Sequence, residues 1–192
     1  LYNLSNLLAD QGKTREAILS VAKLLDLAPD NLDAQMLYTR LLVRQSRVEE
    51  ARKLVDRILN LGPTALGWRW PYVCELAGLV ALQQDDNEVA RHQLEQAVLG
   101  LPKSPSAHHN LALALSRQGQ LDDALNEELT AIGLSPQNPS AWYHLGVIYD
   151  LLARPTKAIE AYDHFLQLRP EDPESAGVKA HIAEIRDSLQ GK

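Results

Sequence analysis

Two columns of residues recur along this chain in one register. Prolines stand at Pro29, Pro63, Pro102, Pro136 and Pro170, and alanines at Ala17, Ala51, Ala90, Ala124 and Ala158. Each alanine precedes its proline by 12 residues; the step is 34 residues three times and 39 once, between the second and third units. Two independent columns that share one slip define a repeat. A period of this size dictates a stacked array in which each unit buries its apolar face on its neighbours. A turn column follows the same register: Gly12, Ser46, Asp85, Gly119 and Ala153. The run before each proline is apolar: LLDLAP, ILNLGP, AVLGLP, AIGLSP and FLQLRP.

Within a unit the apolar residues follow helical spacing. In the fourth unit Ala107, Leu111, Ala114 and Leu115 lie at i, i+4, i+7 and i+8, the stripe of an amphipathic helix. After a turn at Arg117–Gln120, Leu121, Ala124, Leu125, Leu129 and Ile132 form a second stripe. Proline then ends the helix. The pattern predicts first helices over 1–11, 31–44, 71–83, 105–118 and 139–152, second helices over 14–27, 47–60, 86–99, 121–134 and 155–168, and no strand. Pro155 falls in the first turn of its helix, where a missing N–H costs little.

The alanine column faces the first helix of each hairpin, where a larger side chain would force apart axes that pack 8–10 Å from each other. Gly78, Ala112 and Gly146 play the same part from the first helix. Overpacking is therefore expected at Ala124, whereas Ser116, on the other face, reads as tolerant of substitution.

These columns resemble the tetratricopeptide-repeat (TPR) family. Its pattern W-x2-L-G-x2-Y, followed by a small residue, an aromatic and a proline, is matched in the fifth unit by Trp142, Leu145, Gly146, Tyr149, Ala158, Tyr162 and Pro170. The resemblance implies an all-α, right-handed α-solenoid of about five helical hairpins plus a C-terminal capping helix. The units are 1–30, 31–64, 65–103 with a five-residue insertion, 104–137 and 138–171. A capping helix and tail occupy 172–192, with Val178, Ile182, Ile185 and Leu189 as its apolar stripe.

Composition excludes several functions. Nineteen basic and 25 acidic residues leave a net charge of −6, which counts against coating nucleic acid. A 34-residue step also differs from the 35-residue helical hairpins that read RNA, so nucleic-acid binding is the weaker alternative. One cysteine excludes an internal disulfide and a cysteine-based zinc site. No apolar run is long enough to span a membrane. A cytoplasmic address is favoured, with the bacterial periplasm the alternative. The chain begins at Leu1 rather than Met, and its first helix lacks an opening turn. Leu1, Leu4 and Leu8 are therefore expected to be covered by upstream repeats or another subunit.

Catalytic signatures are absent: there is no phosphate-binding glycine loop, no H-E-x-x-H and no G-x-S-x-G. Cys74 reads as a small buried hydrophobe. His109 and His144 hold neighbouring places on successive first helices. Two histidines make no zinc site without a carboxylate, and Asp150, nearly two turns past His144, is poorly placed to supply one. They read as polar groove residues, and no metal or cofactor is expected. Asn3-Leu4-Ser5 is a formal glycosylation sequon inside a helix. The acidic pairs Glu49-Glu50, Asp85-Asp86, Asp122-Asp123 and Glu127-Glu128 read as solvated outer-face charge.

The resemblance also assigns binding to the concave side lined by first helices, where a peptide or protein segment lies. Carried onto this chain, that face holds Tyr2, Asn6, Asp10, Met36, Arg40, Arg44, Tyr72, Glu75, Leu79, His109, Arg117, Tyr143, Val147 and Asp150. Arg40 and Arg44 are four apart on one helix and suit a partner with acidic groups, unless groove acids such as Glu75 neutralise them. The insertion near Thr64–Pro71 carries Trp68, Arg69, Trp70 and Tyr72. Trp68 and Trp70 form either an aromatic anchor for a partner or a plug for the widened gap between repeats. A carboxylate clamp of the kind that holds chaperone tails is not matched: Asn6 fits it, but Leu37 and Leu76 stand where an amide and a basic residue belong. The expected function is a non-enzymatic protein–protein interaction scaffold. The alternative is a non-catalytic domain of a longer enzyme or assembly factor.

Overall fold

The computed structural model describes residues 1–190. Among these residues it is all-α. The chain forms α1 (Tyr2–Asp10), α2 (Thr14–Leu27), α3 (Leu32–Arg44), α4 (Val48–Leu59), α5 (Gly62–Leu66), a single 3₁₀ turn (Gly67–Arg69), α6 (Trp70–Gln83) and α7 (Asn87–Gly100). It continues with α8 (Pro105–Arg117), α9 (Leu121–Leu134), α10 (Pro139–Leu151), α11 (Pro155–Leu168) and α12 (Ser175–Gln190). Two compact bodies result, one spanning Leu1–Leu101 and one beginning at Pro102. The first holds hairpins α1–α2, α3–α4 and α6–α7; the second holds α8–α9 and α10–α11, with α12 packed on α11. The two final tail residues, 191 and 192, lie outside the described residues.

Local chemistry sets the helix ends. Asn31, Ser104 and Asn138 each turn a side-chain oxygen to an early backbone N–H of α3, α8 and α10, satisfying donors that have no partner inside the helix. The turn inside each of the five hairpins places its register residue in the left-handed region: Gly12 at φ 74°, Ser46 at 55°, Asp85 at 57°, Gly119 at 75° and Ala153 at 52°. Only glycine adopts that region freely. Nothing lies within 4 Å of a β-carbon built at Gly119. Gly119→Ala is therefore expected to cost about 1 kcal/mol through backbone strain alone. It would appear as a lower urea midpoint for the C-terminal body with an unchanged slope, and an unmoved midpoint would show that the turn tolerates a side chain.

The small-residue columns lie at the helix crossings. Ala17, Ala51, Ala90, Ala124 and Ala158 are all fully buried. On the first helices the matching column is Ser5, Thr39, Gly78, Ala112 and Gly146. Ser5 and Thr39 return their hydroxyls to the carbonyls of Leu1 and Gln35, so neither buries an unmet polar group. A β-carbon on Gly78 would stand 2.4 Å from Leu94 Cγ, and one on Gly146 would stand 2.4 Å from the Tyr162 ring.

The structure departs from the sequence pattern in four places. Pro63 does not end the second helix of its repeat: α4 stops at Leu59, and Pro63 lies in the first turn of α5, where proline is well tolerated. The five extra residues thus form helical turns, and Leu66 within them is buried in the core. Leu8 is partly buried against the core cluster that contains Ala17, Val21 and Leu41, and Leu7 is exposed in its place along with Leu1 and Leu4. Glu127 and Glu128 are not outer-face charge: Glu127 is partly covered and Glu128 is 0% exposed. Ser116 is not idle either, because its hydroxyl meets a histidine ring.

Candidate functional site

In the N-terminal body, first helices α1, α3 and α6 and the turns before α6 gather most of the expected groove residues. Tyr2, Asn6, Met36, Arg40, Trp68 and Tyr72 line one pocket of about 160 Å³, together with Asp33 and Leu37. Sequence reasoning missed what holds it together. Arg69 grips Asp33 through two parallel hydrogen bonds of 2.7 and 2.9 Å, and its guanidinium lies 4.3 Å from the Trp68 ring centre. The fork ties the aromatic turn to α3. The hydrogen bonds from Arg69 hold the Asp33 carboxyl below the usual carboxylate range. Trp68 meets Tyr72 edge-on at 6.0 Å and is 67% exposed, whereas Trp70 packs partly buried against the core.

Arg40 and Arg44 are both exposed on α3, with no ion pair among the described residues. Glu75 is buried, Leu79 is half-buried against the core, and Asp10 is exposed at the end of α1. Cys74 is fully buried, and burial pushes its thiol up to about 12, which leaves it a poor nucleophile at neutral pH.

In the C-terminal body the expected residues divide differently. Tyr143 is exposed and packs beside Phe165 and Tyr162; Val147 is half-buried, and Arg117 is exposed at the end of α8. Asp150 does not approach His109 or His144 as a third donor. It accepts a 2.7 Å hydrogen bond from the Tyr162 hydroxyl and lies 2.7 Å from His181 Nε2 on α12. Burial, and then that hydrogen bond, keep the Tyr162 hydroxyl protonated well above the usual phenol range.

His109 and His144 do meet, with ring centres 5.7 Å apart, and the carboxylate between them is Glu128 of α9. His109 Nδ1 lies 2.8 Å from Oε1, and His144 Nδ1 lies 2.8 Å from Oε2. Beside them His108 Nδ1 lies 2.6 Å from Glu127 Oε2, and its Nε2 faces the Pro102 carbonyl at 3.1 Å. A signal for Glu128 was present in the repeat register. Four residues after each column alanine stand Val21, Val55, Leu94, Glu128 and Tyr162. This is a core position, filled by a carboxylate in one repeat alone.

Helical hairpins joined by a left-handed turn residue, with small residues at each crossing, define a class of helical-repeat proteins. Family profiles described as tetratricopeptide repeat match residues 8–69, 76–139 and 111–173; the chain belongs to the tetratricopeptide-repeat family, and its fold is that family's all-α solenoid class. It is 28% identical over 189 residues to Protein O-mannosyl-transferase TMTC1 of Homo sapiens, covering 96% of this chain and 20% of that protein. It is 22% identical over 184 residues to Pre-mRNA-splicing factor 6 of Saccharomyces cerevisiae, covering 95% and 20%. The chain thus spans about one fifth of the length of these curated relatives. Among solved structures, TTC0263, a thermophilic TPR protein in Thermus thermophilus, has a TM-score of 0.75 at 18% identity, covering 95% of each chain. YrrB, a TPR protein with an unusual peptide-binding site, has a TM-score of 0.65 at 22% identity, covering 93% of this chain and 89% of its own. These structural likenesses carry the fold alone. Among the described residues no helix is long and apolar enough to cross a membrane.

Proposed function

We propose that the chain is a non-enzymatic protein-interaction module that binds an extended peptide or protein segment on its first-helix face. The observation that carries this reading is the pocket in which Tyr2, Asn6, Met36, Arg40, Trp68 and Tyr72 come together. Aromatic, amide and cationic groups share one recess there, with Trp68 exposed beside the Arg69 guanidinium. Interface hot spots concentrate these residue types. Arg40 and Arg44 carry unpaired positive charge on a chain of net charge −6, which biases the recess toward acidic groups on the partner. On the C-terminal body, Tyr143 and Val147 offer apolar contact on the equivalent face. Leu1, Leu4 and Leu7 add a further exposed apolar strip on α1.

The test begins with capture of partners on the intact chain and their identification by mass spectrometry. The partner segment is then titrated against wild type and the Arg40→Glu/Arg44→Glu double variant at low and moderate salt. If the arginines form desolvated charge pairs, affinity falls by more than roughly 30-fold. Tyr72→Ala and Trp68→Ala are expected to weaken binding at both salt concentrations. Equal affinity of all variants, with helicity intact, would remove this face as the site.

A second reading rests on the match to TMTC1. Alignment over nearly the whole chain but only one fifth of that protein fits a non-catalytic repeat domain within a longer enzyme or assembly factor. Peptide binding by the repeats is common to both readings, and the full-length gene product separates them.

A further inference from the structure

We propose that His109, Glu128 and His144 form a binding site for one divalent transition-metal ion of the Zn²⁺, Co²⁺ or Ni²⁺ type, which staples α8, α9 and α10 together. Three observations converge on it.

The first is geometric. One donor atom from each residue falls within a cluster no wider than 4.8 Å, and each carboxylate oxygen of Glu128 already faces an imidazole Nδ1 at 2.8 Å. Three ligand atoms held about 2.0–2.1 Å from one tetrahedral ion stand roughly 3.3 Å from one another. The 4.8 Å limit on the cluster exceeds that spacing by about 1.5 Å, so the three side chains close inward by no more than that for an ion to enter. Two imidazoles and a carboxylate suit borderline transition metals rather than Mg²⁺ or Ca²⁺, which prefer all-oxygen shells.

The second observation is the register. The Glu128 position is Val21, Val55, Leu94 or Tyr162 in the other repeats, so an apolar side chain would satisfy the fold. The carboxylate is instead fully buried, and a buried carboxylate needs a positive charge beside it. A divalent ion supplies it while drawing three helices to one point.

The third is the support around His144. Its Nε2 lies 3.0 Å from Ser116 Oγ, and Ser116 Oγ lies 3.0 Å from the Leu113 carbonyl. A carbonyl only accepts, so the serine proton goes there and Nε2–H donates to the serine. The other nitrogen, Nδ1, is then the one turned to Glu128. Metal-bound histidines are fixed in this way, through the ring nitrogen that does not bind the metal. His109 retains 15% side-chain exposure while Glu128 and His144 are covered. The site thus opens to solvent on the His109 side, where a fourth ligand such as water has access.

The experiment uses the full chain without an affinity tag, stripped with chelator and then titrated with ZnCl₂, NiCl₂ or CoCl₂, with MgCl₂ and CaCl₂ as controls. One equivalent of Zn²⁺ is expected to bind and raise the melting temperature. Co²⁺ is expected to give a visible d–d spectrum without a thiolate charge-transfer band. Ser116→Ala should weaken Zn²⁺ binding about 10–100-fold, and His109→Gln should abolish the cobalt spectrum. His181→Ala, which alters the surface pair with Asp150, should leave binding unchanged. A wild-type chain that shows neither a melting shift with Zn²⁺ nor a cobalt spectrum overturns the proposal, and so does undiminished binding by folded His109→Gln. The cobalt spectrum is read on wild type, so the outcome does not depend on any variant folding.

Discussion

Glu128→Ala is expected to destabilise the C-terminal body by about 3–5 kcal/mol in the presence of chelator. The substitution leaves one buried imidazole, His144, and one largely covered imidazole, His109, facing a void where each had a carboxylate oxygen at 2.8 Å. Losing one member of a buried polar group costs far more than its net contribution, because the remaining members stay desolvated. Glu128→Val restores the residue type found at Val21 and Val55 and fills the space, so it should lose less than the alanine variant. Joint replacement of His109, Glu128 and His144 by apolar residues of similar volume should recover most of the loss. Urea unfolding followed by circular dichroism measures all three. A loss below about 1 kcal/mol for the alanine variant would mean that the two histidines find other partners without rearrangement.

The second large effect is expected at the α6–α7 crossing. Leu94 is fully buried and occupies the space that a β-carbon on Gly78 would need. Leu94→Ala should cost about 2–5 kcal/mol through lost burial and the cavity left behind. Gly78→Ala should cost about 1–3 kcal/mol for the opposite reason, since its methyl group meets a leucine that has little room to move. The two changes touch the same space, so the double variant should lose less than the sum of the single variants. Additive losses would show that α6 and α7 move apart as rigid rods and that no side chain sets their spacing. Both outcomes are read from denaturation midpoints of the N-terminal body.

The helices were legible because each repeat carries its punctuation in order. An amphipathic stripe, a turn residue, a second stripe with a central alanine and a proline are local signals, and helix formation answers to local signals. Fourteen residues of α9 and fourteen of α11 fall where the period places them. The insertion was legible as a slip of five residues but not as structure. Pro63 signals a helix end and a helix start equally well, and Gly62 at φ 77° decides for the start. The groove residues of the N-terminal body could be named from their helix face. Their common pocket depends on Arg69 reaching back 36 positions to Asp33, a distance no local pattern reports.

Glu128 marks the boundary between the two kinds of information. As one of two adjacent glutamates it looks like surface charge. Its column, shared with Val21, Val55, Leu94 and Tyr162, requires burial. The repeat period alone determined which residues lie at helix crossings, because a helix of 3.6 residues per turn returns the same face to the same neighbour in every unit. What that face does with a charge was decided only by tertiary structure. The histidines that meet Glu128 come from α8 and α10, 19 and 16 positions away. Only the stacking of one hairpin on the next brings their nitrogens to the two oxygens of a single buried carboxylate.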